Sequence, residues 1–299
     1  MNQITSSYES RTDLALEASE SLRGTEEADS GILMEEEYKQ AKNLRITSVR
    51  ITTKEAERVV GKPKGTYITL ESSELLYADE DYHREISEEL SRQIRRLIKG
   101  VEKSKNHSLL VVGLGNKDVT PDALGPLVAD NLCINRHLKK EGSLISAIVP
   151  GVMAQTGMET AEIVRGIVKE TKPTVVIAVD ALAARSTTRL NTTIQIADTG
   201  IHPGSGVGNH RHGLTKESLG VPVLAIGVPT VVDAATIAGD AMEQLLVTME
   251  ESEKRGLIYS LLDERLKNLF VTPKDVDETV KRISYTISEA INLAFSEGE

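Results

Sequence analysis

The sequence predicts an α/β fold, with helices layered on a mainly parallel or mixed sheet. Three observations predict it. Apolar runs of strand length alternate with stretches of helical period. Several runs, such as "SLLVVG" at 108–113 and "TVVIAV" at 174–179, are apolar throughout, which suits strands covered on both faces. No repeat and no low-complexity linker interrupts the 299 residues, so one domain with an N-terminal extension accounts for the chain.

The elements follow in order. The stretch through Glu37 carries ten acids against two bases, Arg11 and Arg23, and reads as solvated surface. Its first dozen residues have no period and read as a mobile tail. "TDLALEASESL" reads as a short helix with Thr12 as N-cap. "LRITSVRITT" alternates and reads as a half-buried strand, and "YITLE" at 67–71 as another. In "REISEELSRQIRRLIKG", Ile86, Leu90, Ile94, Leu97 and Ile98 share a helical face, and Gly100 is placed to stop the helix. "SLLVVGLG" is a buried strand that runs into a glycine loop. "PDALGPLVADNLCINRHL" can follow as a helix, with Pro126 tolerated only in a first turn or at a kink. Next come a strand in "LISAIVPG", a helix in "TAEIVRGIVKE" and a strand in "TVVIAVDALAA" that ends at Asp180. "TTIQIAD" is a strand, "PVLAIGVPT" a strand into a loop, and "VDAATIAGDAMEQLLVTMEE" a helix. The closing helix takes Thr272 as cap and Pro273 at its first position, with Val276, Val280, Ile283, Ile287 and Ile291 on one face.

Composition excludes several classes. Aromatics are 3% and Trp is absent, so the core is aliphatic and few rings exist to stack on unpaired bases. A net charge of −10 disfavours a broad phosphate-binding surface, so no direct nucleic-acid partner is expected. Cys133 is the single cysteine, which excludes an internal disulfide and a four-cysteine zinc site; it reads as a small buried residue in a helix. The N-terminus has no apolar leader core and no run reaches membrane-span length. The expectation is a soluble intracellular protein with no membrane partner.

The chemistry concentrates in "GLGNKDVTPDALGP" at 113–126. A dinucleotide fingerprint would need glycine at 118, where Asp118 stands, and no Walker pattern is present. "VVGKPKGTYI" has lysines at the wrong spacing. In open α/β sheets, sites form at the carboxyl ends of strands. Two aspartates fall there, Asp122 and Asp180. Taken singly, each has a capping role: Thr120 as N-cap, Pro121 and Asp122 as first helical residues, and Asp180 capping "ALAARS". Taken together, they form an acid–base pair that shares a proton. The loop "HPGSGVGNHRHG" holds His202, His210 and His212. With the two aspartates these imidazoles can hold a divalent ion, or the loop can clamp a substrate. No G-x-S-x-G elbow and no H-E-x-x-H is present, and Cys133 has no evident base, so serine and cysteine nucleophiles find little support. Loop amides from Gly113 to Gly115 are placed to stabilise an oxyanion.

"VVGLGNKDVTPDALGP", "IVPGVMAQTGMET", "IAVDALAARS", "IQIADTGIHPGSGVGN" and "LGVPVLAIGVPTVVDA" occur in order between about 108 and 236, and "RTDLALEA" precedes them. These blocks resemble the spore germination protease family. The resemblance implies an aspartic-type endopeptidase that degrades small acid-soluble, DNA-protecting spore proteins, with Asp122 and Asp180 essential. It implies a three-layer α/β sandwich with a mixed, mainly parallel central sheet, similar to the hydrogenase-maturation endopeptidases. Their motif also sets an acid six residues after the Asn of a G-x-G-N loop, which here runs from Asn116 to Asp122. Those relatives use metal-ligating acids; for this chain the resemblance implies no metal and no cofactor. Gly113, Gly115, Asn116 and His202 are expected in supporting or substrate-binding roles.

The resemblance further implies a zymogen that removes its own N-terminal segment. The cut falls between Asp13 and Leu14, leaving a propeptide of 1–13 and a protease domain of 14–299. Substrates of the family are cut after an acid and before a bulky apolar residue followed by Ala, often within an acid-Leu/Phe/Ile-Ala-Ser-Glu pattern; Asp13-Leu14-Ala15 has that form and "EASE" follows. A helix there has to open before cleavage, because a protease needs extended backbone. A homotetramer in the cytoplasm of the spore core is implied as well. The alternatives are a metal-dependent maturation-type endopeptidase and a non-catalytic α/β anion-binding protein.

Overall fold

A computed structural model describes residues 12–20, 22, 31–77, 79–101, 107–138, 142–202, 212–245, 266 and 269–295. The strands are β1 (Ile32–Lys39), β2 (Leu44–Ile51), β3 (Gly65–Glu71), β4 (Ser108–Gly113), β5 (Leu144–Ile148), β6 (Val175–Ala184), β7 (Thr193–Ala197), β8 (Val223–Asp233) and β9 (Phe270–Val271). The helices are α1 (Ala15–Glu20), α2 (Lys54–Val60), α3 (Glu80–Val101), α4 (Leu124–Asp130), α5 (Met153–Thr156), α6 (Thr160–Thr171), α7 (Lys216–Leu219), α8 (Ala234–Leu245) and α9 (Val276–Phe295).

The strands form one mixed sheet in the order β1-β2-β3-β7-β8-β6-β4-β5, with β9 on β8. β5, β4, β6 and β8 pair in parallel, joined by connections that carry helices. β7, β3, β2 and β1 extend the sheet with antiparallel pairs. Side chains alternate between two helical layers, as strand geometry requires. Leu109, Val111, Val175, Ile177 and Val179 face a core closed by α3, α4 and α9. Leu110, Val112, Val176 and Ala178 face the other side, where Ala161, Val164 and Val168 of α6 meet them. At the antiparallel end, α1 and α2 cover Val49, Ile51, Tyr67, Ala197 and Ala225. The expected α/β layering is therefore present. Among the described residues no helix is long and apolar enough to cross a membrane.

Several boundaries differ from expectation. β6 does not end at Asp180 but runs on to Ala184, because β8 continues to pair with it. Residues 120–122 form a 3-10 turn with Val119 at its cap, so Thr120 is not the N-cap of a helix. α4 starts at Leu124 and carries Pro126 in its first turn, as its missing N–H allows. It stops at Asp130, so Cys133 is not a buried helical residue; it is exposed, and its N–H donates to Asn292 Oδ1 at 2.9 Å. Gly100 does not stop α3, which runs on to Val101. Thr272 does not cap the last helix, since its hydroxyl donates to Thr230 O at 2.8 Å and α9 begins at Val276. β1, unforeseen, is an acidic edge strand that leaves Glu35, Glu36 and Glu37 exposed. Residues 1–11, expected as a mobile tail, and the end of the expected helix beyond 245 lie outside the described residues.

Candidate active site

Asp180 owes its position to unequal strand lengths. β4 ends at Gly113, which pairs with Val179. Asp180 is thus the first residue of β6 past that end, still paired to Gly227 of β8 but open to the crevice on the other side. It is only 7% exposed. Its Oδ1 accepts the N–H of Ala181 at 3.0 Å. Gly227 pairs in turn with Gln195 of β7. Asp180, Gly227 and Gln195 therefore form one row across three strands and point to the same face. Two interstrand spacings separate the outer members by about 10 Å, and the glycine between them leaves a gap.

Asp122 is held by the loop after β4. Asn116 N–H donates to its Oδ2 at 2.8 Å, and Asn116 Oδ1 accepts the N–H of Asp118 at 3.1 Å. Thr230 Oγ1 donates to Pro121 O at 2.7 Å, pinning the turn to β8. The glycines permit backbone to pack on backbone. A Cβ on Gly115, at φ +109°, would stand 2.0 Å from Asp122 O. A Cβ on Gly125 would stand 2.3 Å from Leu114 O and 2.6 Å from Val179 O. The expected oxyanion role fails for Leu114, whose N–H is engaged by Val179 O at 2.8 Å. The same loop places Asp122. Gly125→Ala is expected to cost about 1–3 kcal/mol through overpacking, lowering the melting temperature by roughly 3–10 °C. An unchanged calorimetric melt would contradict this account of the loop.

Both aspartates line one cavity of about 450 Å³, together with Leu114, Val119, Pro121 and Val152. A second cavity of about 470 Å³ holds Lys62, Gln195 and His202. The two share Asp13, Asp180 and Leu182, so they are halves of one groove crossed by the chain's own N-terminal segment.

That segment is firmly docked. Asp13 N–H donates to Ala183 O at 2.9 Å, and the Asp13 carboxylate accepts Ala183 N–H at 2.9 Å. Gln195 Nε2 donates to Asp13 O at 3.3 Å, and its Oε1 accepts Ala15 N–H at 2.7 Å. Leu14 is 0% exposed and packs with Leu182, Ala184 and Ile201. Lys62 Nζ donates to Thr12 O at 3.1 Å. Burial pulls the Lys62 ammonium below its usual pKa, while Asp13 and Glu17 push it back up. Thr12 does not cap the helix proper. α1 begins at Ala15, and Thr12 Oγ1 accepts Leu14 N–H at 3.0 Å ahead of it. The Asp13–Leu14 bond consequently lies outside the helix, and no helix has to open to expose it. The acids nearby are not solvated surface either: Glu17 is 5% exposed.

His202 and His212 have different surroundings. His202 lines the groove, where burial and then the charge of Lys62 lower its pKa. His212 pairs with Glu159. His210 lies outside the described residues. Among the described residues, no three His, Cys, Asp or Glu side chains gather into a metal-holding group. Gln195, Lys62, Ala183 and Thr230 escaped sequence reasoning. For Gln195 a signal existed, a long polar side chain inside the apolar run "TIQIA".

The germination protease family model matches residues 9–249. A germination protease of Caldanaerobacter subterraneus subsp. tengcongensis is 46% identical over 313 residues, covering 96% of this chain and 94% of the relative. Those of Clostridium acetobutylicum and Bacillus subtilis are 42% and 39% identical, covering 95% and 97% of this chain and 94% of each relative. Among solved structures, a NiFe hydrogenase maturation protease, HycI, from Thermococcus kodakarensis is similar with a TM-score of 0.35 and 19% identity, over 67% of this chain and 98% of its own.

Proposed function

The chain belongs to the germination protease family and is a peptidase; from that premise we propose that it is an aspartic-type endopeptidase, made as a zymogen, that first cuts its own Asp13–Leu14 bond. One observation carries the reading. Asp13, whose carbonyl forms that bond, lines the groove together with both Asp122 and Asp180, and Leu14 packs on Leu182 of the same groove. In the proposed reaction, one aspartate is ionised and takes a proton from water, whose oxygen attacks the Asp13 carbonyl carbon. Charge then grows on Asp13 O, toward which Gln195 Nε2 already points a hydrogen. The other aspartate, protonated, gives its proton to the Leu14 nitrogen as the C–N bond breaks. The products are a carboxyl group on Asp13 and an amine on Leu14, and the aspartate pair has exchanged one proton between its members.

The same contacts favour a particular substrate sequence. Ala183 N–H and the nearby Lys62 charge suit an acid before the cut. The closed pocket around Leu14 suits a bulky apolar residue after it, and the fully buried Ala15 leaves space for a small one next. We assign small acid-soluble spore proteins as the substrates in trans, and a homotetramer in the spore core as the working unit.

A synthetic peptide of residues 8–20, "YESRTDLALEASE", tests the reading. Incubated with the protein, it is expected to give two products that part between Asp13 and Leu14. Products that part elsewhere, or none, would sink it. Cleavage lost in a chelator and restored by one divalent metal would favour the metal-dependent alternative instead.

A further inference from the structure

Lys62 stands in the groove, yet it takes no part in the proton transfers. Its place is fixed locally. Gly61, at φ +70°, ends α2 with its N–H donating to Glu57 O, and Pro63 restricts Lys62 to extended backbone. The Tyr67 hydroxyl donates to Pro63 O at 2.8 Å and ties the turn to β3. From that turn Lys62 Nζ reaches over the docked segment to Thr12 O at 3.1 Å. Burial lowers the pKa of the amine; the Asp13 charge and then that of Glu17, both carried by the segment, oppose this.

The carbonyl that Lys62 holds lies one residue before the cut. Thr12 C=O and Asp13 N–H belong to one planar peptide group and point to opposite sides of the chain. Lys62 holds the oxygen, and Ala183 O accepts the N–H at 2.9 Å. That peptide group is clamped at both polar ends, between the turn after α2 and β6. Only the φ and ψ of Asp13 separate it from the scissile carbonyl. The Asp13 carboxylate, bonded to Ala183 N–H, restricts the first, and Gln195 Nε2 at Asp13 O restricts the second. Released from Lys62, the peptide group can turn about its remaining bond to Ala183 O and carry the scissile carbonyl with it. A displacement of about 1 Å at a reacting group costs on the order of 10²-fold in rate.

We propose that Lys62 is a positioning residue of the cleavage reaction. It grips the backbone carbonyl one residue before the cut, in substrates as in the tethered segment, and so sets where the scissile carbonyl meets Asp122 and Asp180. The proposal rests on the peptidase reading above. The grip takes a peptide oxygen and no side chain, so it acts on any sequence at that place.

The test uses the full-length protein, Lys62→Met and two peptides of residues 8–20, one unaltered and one with the Thr12 carbonyl oxygen replaced by sulfur. Met keeps the length of the stem and removes the donor. The tethered segment competes with both peptides, which alters KM but not kcat, so kcat is read. Lys62→Met is expected to lower kcat on the unaltered peptide by roughly 10- to 100-fold. On the unaltered protein the sulfur peptide is expected to turn over at least about fivefold more slowly, because sulfur is a weak acceptor. On Lys62→Met the two peptides should agree within about twofold, since the coupling resides in the pair. A kcat retained in Lys62→Met, with any change confined to KM, would overturn the positioning role. So would a sulfur penalty of the same size in both proteins. If Lys62→Met does not fold, the unaltered protein still decides, and equal kcat for the two peptides overturns the role. Should the unaltered protein cut neither peptide, the peptidase reading fails and the role falls with it; cleavage indifferent to Lys62 and to the sulfur sinks the role alone.

Discussion

Asp180→Asn is expected to slow cleavage of the Asp13–Leu14 bond by about 10³-fold or more, and Asp122→Asn by a similar factor, since each removes one partner of an acid–base pair. The size of the effect follows from the chemistry. Asn can neither take a proton from water nor deliver one to an amine leaving group, yet it keeps the shape of Asp. The fold should survive both changes. Asp122 accepts one backbone N–H and sits in a turn also pinned by Thr230, and Asp180 remains paired to β8 through its backbone. The double variant should be no slower than about tenfold below either single one, because residues acting as a unit do not add. Cleavage of the 8–20 peptide, followed by mass, checks all three. Either single variant that cuts at the unaltered rate while melting normally loses its place in the mechanism.

Gln195→Ala is expected to lower kcat on the same peptide by roughly 10²–10³-fold, the cost of removing one oxyanion donor. The side chain also anchors Ala15 N–H through its Oε1, so some rise in KM should accompany the fall. Gln195→Glu separates the two roles. A carboxylate can still accept Ala15 N–H but presents oxygen to the Asp13 carbonyl, so kcat should fall as far as in the alanine variant while KM stays nearer its original value. A fall confined to KM in both variants would make Gln195 an anchor and nothing more.

The parallel half of the sheet was legible because its strands are buried on both faces, and burial writes itself as unbroken apolar runs such as those of β4 and β6. β1 was not legible. It is an edge strand whose "EEE" lies exposed, and its structure comes from pairing with β2, which leaves little mark on its own residues. The end of β6 was misplaced for a related reason. A polar residue in an apolar run suggests a boundary, but Asp180 sits where one neighbour stops and the other continues. That mismatch of strand lengths makes the crevice, and it is a property of two partners rather than of one segment.

The same holds for the candidate site. Asp122 and Asp180 could be foreseen, because carboxyl ends of parallel strands gather polar groups at one edge. Gln195 and Lys62 could not be placed there from sequence alone. Gln195 reaches the groove because β7 is antiparallel and in register with Gly227, and Lys62 because the turn after α2 folds over the docked segment. The glycines of 113–126 mark a loop leaving a strand. That Gly115 lies against Asp122 itself, and Gly125 against Val179, needed the folded chain. Glu17 went the other way: an acid in an acidic stretch reads as solvated, whereas the amides after β6 together with Arg189 and the Thr12 hydroxyl account for its burial.

The most direct test of the central claim is the intact mass of the full-length protein during incubation, with the Asp122→Asn and Asp180→Asn double variant alongside. The account predicts that the unaltered chain loses residues 1–13 and begins at Leu14, while the double variant keeps its full mass over the same period. Loss of the same segment from the double variant at the unaltered rate, or a new first residue other than Leu14, would contradict it.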